Sequence, residues 1–274
     1  MIYLILAVLS SASVAVAMRI GKKFSENNLT MLAVNYASCT VLAGIFAGTG
    51  RFVPEQSSIG LGILQGILYL VSFLLYQYNI RRNGVVLSST YMKLGVLVPT
   101  LAAVFLFGEM PSGLQIAGVV LSIFAIILMN YEKVDDRIPI EISLLLLLIG
   151  GGAADVMAKV YEQYGDADRK EQYIFIIFLT AMILCSALAA YRREKITIPD
   201  IVCGILIGVP NYFSAVFLLR AVHYVLAAIV YSTYSIATIA CTSLTGVLLF
   251  KEKLKRKQWI GLIILLGALG CLNY

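Results

Sequence analysis

The sequence predicts an all-α polytopic membrane protein whose ten transmembrane helices form a 5+5 inverted repeat. Three observations predict this fold: a highly apolar composition, a succession of long apolar runs, and an internal repeat with a constant offset. Runs of about 17–25 apolar residues have the length that a helix needs to cross a bilayer core. Unbroken runs also exclude a transmembrane β-barrel, because barrel strands alternate apolar and polar residues.

The composition excludes a water-soluble domain. Of the 274 residues, 60% are hydrophobic and 13% are charged, whereas about a quarter of the residues in a soluble domain are charged. The formal net charge is +6, but the basic residues gather at the ends of the apolar runs, where they orient a membrane protein. No nucleic-acid partner is therefore predicted. The five cysteines lie inside apolar runs without metal-site spacing, and neither a metal nor a cofactor is predicted.

Ten spans are predicted, separated by short polar joins. The first run lacks a preceding basic region and contains several serines, so it is interpreted as a span and not as a cleaved signal peptide. The most charged central join divides the chain into a first repeat at 1–131, a linker at 132–139 and a second repeat at 140–274. The predicted spans are 2–20, 29–48, 59–80, 84–107, 112–129, 142–161, 172–191, 200–221, 225–250 and 257–272.

The internal repeat is visible without gaps around spans four and nine. Ser89-Thr90-Tyr91 recurs as Ser232-Thr233-Tyr234, and Phe107-Gly108-Glu109 recurs at the same offset as Phe250-Lys251-Glu252. Because each half has five spans, an odd number, the second half starts on the opposite side of the membrane. The repeat is then inverted, as in many secondary transporters, whose substrate sites lie near the bilayer midplane where the repeats meet. The glutamates that end the two motifs are interpreted as structural.

The distribution of basic residues predicts the orientation in the cytoplasmic membrane. Of the 21 Lys and Arg residues, fifteen lie in or within two residues of joins that follow odd-numbered spans, four lie in or within two residues of joins that follow even-numbered spans, and Lys93 and Lys159 lie deeper within spans. The positive-inside rule assigns the odd-numbered joins to the cytoplasm, so both termini are predicted to lie outside.

These motifs resemble the EamA-type branch of the drug/metabolite transporter superfamily. The resemblance rests on an apolar span with a central Pro99 that ends in Phe107-Gly108-Glu109, on the second copy Phe250-Lys251-Glu252, and on five plus five spans. The second copy departs from the first in having Thr242 where the first has Pro99. The resemblance implies alternating-access transport of a small polar or amphipathic metabolite.

Lys93 is the leading candidate for a substrate-binding residue. It lies nine residues into span four, about 14 Å along a helix and therefore near the middle of the bilayer. A lysine at that depth is costly and should face a cavity or a partner. Ser89, Lys93 and Thr100 are expected on one helical face, where the lysine would hold a carboxylate or phosphate beside hydroxyl groups. The alternative is a lysine bonded to a neighbouring carboxylate or to helix-end carbonyls.

Asp155 and Lys159 are the candidates for coupling or for an ion pair. They lie one turn apart on span six, after Gly150-Gly151-Gly152, which permits close helix approach or local unwinding. One hypothesis makes Asp155 a proton-titrating group, or the partner of Lys93 in an empty site. The other is a local Asp155–Lys159 pair.

Further candidate binding residues are polar or aromatic positions inside apolar spans. Asn35 and Asn211 precede tyrosines, and Asn211 follows Pro210, which can kink span eight. Interhelical hydrogen bonding is the alternative for both asparagines, and packing is the alternative for the hydroxyl stripe of span nine. The complete set of predicted binding residues is Lys93, Ser89, Tyr91, Asn35, Asn211, Tyr212, Tyr234 and Thr238.

The sequence favours a transporter over other classes. The predicted partners are a small-molecule substrate, the lipid bilayer and, as a candidate coupling ion, the proton. A translocase of a lipid-linked or amphipathic molecule is the related alternative. A membrane-embedded enzyme or a non-transporting scaffold is the alternative of a different class. The enzyme is disfavoured because neither a G-x-S-x-G motif nor a phosphate-binding glycine loop occurs.

Overall fold

The computed structural model describes residues 1–21, 24, 28–47, 56–130, 142–166, 169–251 and 255–273, apart from the side chains of residues 57, 84–86 and 130. The predicted linker, 132–139, lies outside these ranges. Every regular element in the described part is a helix. The helices are α1 (Ile2–Gly21), α2 (Asn28–Phe46), α3 (Gln56–Leu94), α4 (Leu97–Phe105), α5 (Gly113–Asn130), α6 (Ile142–Tyr164), α7 (Lys170–Tyr191), α8 (Ile198–Tyr224), α9 (Ala227–Phe250) and α10 (Arg256–Leu272).

The prediction of an all-α protein with several membrane-spanning helices is confirmed. Within the described ranges, eight segments are long and apolar enough to cross a membrane, and a ninth, Gly113–Met129, is apolar but shorter. The 5+5 arrangement of ten spans and the orientation of the termini stay predictions.

The join predicted at Arg81–Gly84 lies inside α3, which is helical from Gln56 to Leu94. Its axis nevertheless turns back. Asn79 bonds the Ser143 carbonyl at 3.0 Å near the start of α6, while Gly95 lies against Leu148 and Gly152 further along α6. A straight helix would carry Gly95 about 24 Å beyond Asn79. The chain therefore reverses between these two residues, although helical hydrogen bonding continues.

The helices form two compact units, and each draws on both predicted repeats. The first unit comprises Met1–Leu70 and Val160–His223, and the second comprises Val71–Lys159 and Tyr224–Tyr274. In the first unit α2 packs on α7; in the second, α5 packs on α10 and α4 packs on α9. The repeat boundaries predicted from the sequence stay a prediction, because contact density and gene duplication are different properties.

Glycines bring the helices of the first unit close together, and their contacts occur in matching pairs. A Cβ on Gly62 would meet Ile176 of α7, and a Cβ on Gly204 would meet Val34 of α2. The number of residues from Gly62 to Gly204 equals the number from Val34 to Ile176. The second contact therefore repeats the first with the two halves of the chain exchanged.

A second pair of contacts, one turn further along these helices, repeats the relation. A Cβ on Gly66 would meet Thr180, and one on Gly208 would meet Ser38. The offset between the two glycines again equals the offset between their partners. The spacing from Gly62 to Gly66 is the small-xxx-small pattern that lets membrane helices approach.

The second unit shows the same reciprocity. A Cβ on Gly118 in α5 would lie 3.0 Å from the Ala268 carbonyl, and a Cβ on Gly261 in α10 would lie 3.3 Å from the Ala125 carbonyl. The start of each helix thus packs on the end of the other, which makes α5 and α10 antiparallel. Their interface includes the buried cluster Ala125, Ile126, Met129, Ile236, Ile239, Leu265, Ala268 and Leu272.

Candidate functional site

The helix that carries Lys93 ends at a break caused by Pro99. Proline has no N–H and crowds the carbonyl four residues earlier, which here is the carbonyl of Gly95. Val98 donates to that carbonyl instead, at 3.0 Å, and Gly95 N–H donates to the Tyr91 carbonyl at 3.1 Å. As a result, α3 ends at Leu94 and α4 begins at Leu97.

The break lies directly against the glycine run of α6. A Cβ on Gly152 would collide with the Gly95 carbonyl and would lie 2.5 Å from the Val98 Cβ. A Cβ on Gly151 would meet nothing within 4 Å, whereas one on Gly150 would lie 3.3 Å from Leu75. Close helix approach, which the glycine run predicts, is therefore made by Gly152 and Gly150. The run itself stays helical.

Lys93, Ser89 and Tyr91 lie in the last two turns of α3, and all three are partly exposed. A cation in the last turn interacts favourably with the carbonyl end of a helix. The expected common face of Ser89, Lys93 and Thr100 is wrong, because the break at Gly95 separates Thr100 from that helix. Thr100 lies on α4, where its hydroxyl donates to the Val96 carbonyl at 2.8 Å and lies 3.2 Å from the Ser232 hydroxyl of α9.

Helix α9 runs antiparallel to α6, and Tyr231 of its hydroxyl stripe contacts that helix. Tyr231 donates to the Asp155 main-chain carbonyl at 2.7 Å. One turn earlier, the first N–H groups of α9 share the Glu109 carboxylate with Lys159. Later residues of α9 therefore lie beside earlier residues of α6. Leu94 and Val96, which flank Gly95, pack against the buried cluster that contains Ile236 and Ile239 of α9. The turn of α9 that carries Thr238 therefore lies beside the break.

Two polar levels result, about two helical turns or roughly 10 Å apart. We assign Thr238, beside the break that follows Lys93, to one level, and Tyr231 with Asp155 to the other. The Thr238 hydroxyl is buried and has no hydrogen-bond partner among the described residues, a rare and costly arrangement. Tyr234, also predicted, lies on α9 between these levels and is partly buried.

Lys159 is bonded to Glu109 and not to Asp155. The Lys159 ammonium lies 3.2 Å from the Glu109 carboxylate and 5.9 Å from the centroid of the Phe107 ring. Within the described part of the chain, the Asp155 carboxylate has neither an ion-pair partner nor a hydrogen-bond donor. The alternative of a local Asp155–Lys159 pair is therefore wrong for this structure.

The remaining predicted residues, Asn35, Asn211 and Tyr212, belong to the other compact unit. Asn211 donates to the Asn35 side-chain oxygen at 3.2 Å, and the Cys39 thiol donates to the Gly208 carbonyl at 3.2 Å. Asn35 and Tyr212 are each 2% exposed. The asparagines thus make the interhelical bond between α2 and α8 that was their alternative interpretation.

That bond gives a testable stability effect. Asn35→Leu is expected to destabilise the protein by about 0.6–2 kcal/mol, because the partly buried Asn211 amide keeps only the weak Cys39 sulfur acceptor at 3.7 Å. The double variant Asn35→Leu/Asn211→Leu should recover part of the loss, since neither polar group then remains. Melting temperatures of the purified protein measure both effects. Additive losses in the double variant would contradict a pairwise bond.

The sequence interpretation missed a polar aromatic cluster in the first unit. Tyr173 donates a short hydrogen bond to Gln65 and stacks on Tyr161 with ring centroids 3.7 Å apart. Tyr161 lies 3.3 Å from the Ser58 hydroxyl, and Tyr69 bonds Gln65 at 3.4 Å. Gln65 was the available signal, because an amide side chain inside an apolar span needs a partner.

Comparison with known proteins agrees with this all-helical architecture. The EamA-like transporter family matches residues 1–131 and 140–274. An uncharacterized protein of Haemophilus influenzae (strain ATCC 51907 / DSM 11121 / KW20 / Rd) is 27% identical, over 99% of this chain and 97% of its own length. A protein crystal structure superposes with a TM-score of 0.75 at 11% identity, over 98% of this chain and 94% of the other chain. At that identity, the likeness shows the fold alone.

Proposed function

The chain belongs to the EamA-like transporter family, and on that premise we propose that it moves a small polar or amphipathic metabolite across the cytoplasmic membrane by alternating access. In this proposal the substrate binds Lys93, a residue of the second unit, near the midplane of the bilayer. The observation that carries this proposal is the helix break at Gly95. It places the end of α3, which carries Lys93, against the glycine run of α6 and beside the turn of α9 that carries the unbonded hydroxyl of Thr238.

Discontinuous helices of this kind are a feature of transporter sites. Their broken ends direct helix dipoles and unpaired backbone groups at ligands. Lys93 supplies a positive charge and favours a substrate with a carboxylate or phosphate. Thr238 adds a hydroxyl that a ligand can bond, and Tyr91 and Tyr234 are candidates for aromatic walls. Asn35, Asn211 and Tyr212 enter this proposal only as supports of the first unit.

The reciprocal glycine contacts support an inverted repeat. Contacts that recur with both members shifted equally along the chain are expected when two copies of one unit are related by a two-fold axis. An axis that lies across the helices accounts for the antiparallel α5 and α10, and in the proposed arrangement the two copies face opposite ways in the membrane. Alternating access by exchange of the two copies' conformations follows from such an axis.

The test is ligand binding followed by transport. Purified protein is screened by thermal shift against amino acids, organic acids, amines and phosphorylated metabolites. The compounds that raise the melting temperature are then assayed for uptake into proteoliposomes. We expect stabilisation by anionic or zwitterionic solutes and saturable uptake of the same solutes. Uptake of lipid-linked or strongly amphipathic molecules alone would favour the translocase alternative.

Asp155 gives a second prediction, on coupling. A partly buried carboxylate without a counter-ion among the described residues is stabilised by binding a proton. We therefore expect an imposed pH gradient to change uptake several-fold in wild type and to have little effect in Asp155→Asn, which keeps the shape of the side chain. Asp166→Asn is the control, because that carboxylate pairs with Arg169 at 3.0 Å and is about one-third exposed. Equal responses of wild type and Asp155→Asn would eliminate proton coupling through this residue.

A further inference from the structure

The turn after α4 directs a carboxylate into the protein. Glu109 N–H bonds the Ala103 carbonyl at 3.0 Å, and Gly108 has φ +66°, in the left-handed region. That conformation suits glycine and reverses the chain within one residue. Glu109 is consequently buried, at 8% exposure, although it lies in a connection between helices. Its repeat-related partner, Glu252, lies outside the described residues.

The buried carboxylate caps the start of α9. Leu226, at the N-cap position of α9, has no side-chain acceptor, so the first N–H groups of the helix need another partner. The two Glu109 oxygens accept from Ala227 at 2.9 Å and from Ala228 at 3.0 Å. A negative charge at a helix N-terminus is also electrostatically favourable.

The same carboxylate fastens the end of α6. Lys159 lies 3.2 Å from it, and the two side chains are 13% and 7% exposed. One side chain therefore joins three elements: the α4–α5 turn, the first turn of α9 and the last turns of α6. The repeat-related position of Lys159 is Val16 or Ala17, depending on which of the two repeat offsets applies there. Neither is a lysine, so the lysine of this contact has no counterpart at the repeat-related position.

The three interactions of the Glu109 carboxylate are expected to break together, in a single step. Both N–H bonds and the ion pair share one acceptor group, so withdrawal of Glu109 breaks all three together. A lysine or carboxylate left alone in a buried place is strongly unfavourable, but each is well solvated in an opening that admits water. Half-open arrangements are thereby disfavoured.

We propose that Glu109 is a latch that holds α9 closed against α6 at this end of the second unit, and that it releases when the site opens there. The inference rests on the proposed function for its role in transport, but the latch itself is measurable without a substrate. Tyr231 and Thr238 lie on α9, so release of its first turn changes access to the two polar levels of the site.

The experiment measures access to the first turn of α9. Ala228 is 1% exposed; it is replaced by cysteine in a full-length protein whose five native cysteines are changed to alanine. A membrane-impermeant maleimide is added to sealed proteoliposomes. We expect Glu109→Gln to raise the labelling rate about tenfold, because the amide keeps the shape but has no charge, and one of its two accepting oxygens becomes an NH2 donor. Lys159→Met should raise the rate in the same direction.

Glu171→Gln is the matched control. It makes the same chemical change in the first unit, where the Glu171 carboxylate pairs with Arg220 at 3.5 Å, so the labelling rate should stay at the wild-type value. If Glu109→Gln and Lys159→Met both lower the melting temperature but leave labelling of the folded protein unchanged, Glu109 is only a helix cap and the latch is wrong. Failure of the proposed function would give a different result. The labelling rate would respond to both substitutions as expected, but the wild-type protein would take up none of the screened solutes.

Discussion

Lys93→Met is expected to abolish stabilisation by anionic ligands and to reduce their uptake by about 30-fold or more. Removal of one partner from a desolvated charge pair costs roughly 2–5 kcal/mol, and each 1.4 kcal/mol is about a tenfold change in affinity. Methionine keeps the length and packing of the lysine stem without its charge. Thermal shift with the best ligand of the screen, together with proteoliposome uptake, measures the effect.

Two further variants distinguish the effect of losing the charge at Lys93 from the effect of losing a positive charge elsewhere on the same helix. Lys93→Arg keeps the cation and should retain measurable binding. Arg82→Met removes an exposed cation of the same helix, bonded to the Tyr78 hydroxyl at 2.9 Å, and should leave affinity within about twofold. A Lys93→Met protein that transports at the wild-type rate would place the site elsewhere.

Gly152→Ala is expected to be the most damaging single-methyl change in the second unit. The new methyl group would overlap the Gly95 carbonyl and approach the Val98 Cβ at 2.5 Å. A backbone carbonyl cannot rotate away as a side chain can, so α6 and the α3–α4 break must separate. Overpacking of this kind costs about 1–3 kcal/mol, occasionally more, and here it also displaces Lys93.

The neighbouring glycine is an unusually close control. A methyl group at Gly151 meets nothing within 4 Å, and alanine is the better helix former by roughly 1 kcal/mol. Gly151→Ala should therefore fold as well as wild type or better. The melting temperature and the size-exclusion profile of the two variants measure the difference. Equal behaviour would show that α6 and the break are not in close contact.

The membrane class and the helical architecture follow from the sequence alone. In a bilayer the backbone must satisfy its own hydrogen bonds, so long apolar runs have only one regular conformation open to them. The family was also recognisable from the paired motifs at Phe107-Gly108-Glu109 and Phe250-Lys251-Glu252. The repeat was recognisable around spans four and nine, where the offset is constant.

The sequence interpretation was least accurate where several helices meet. It put Thr100 on the same face as Lys93 because it treated span four as one helix. Pro99 was seen, but its effect on the carbonyl of Gly95 depends on what packs there. It also missed the reciprocal glycine pairs of the first unit, because their offset is one residue shorter and an ungapped comparison hides them.

The sequence by itself determined that the chain is a multi-span helical membrane protein, because the tendency of a segment to enter lipid depends on its own composition. It also singled out Lys93 and Asp155, because a charged side chain inside an apolar span is energetically costly and needs a partner or a cavity. Only the tertiary structure decided their neighbours. Lys159 bonds Glu109, which is distant in the chain, and not Asp155 one turn away. A short-range ion pair is weak on a helix surface, whereas a carboxylate that already caps α9 offers a buried and preorganised partner.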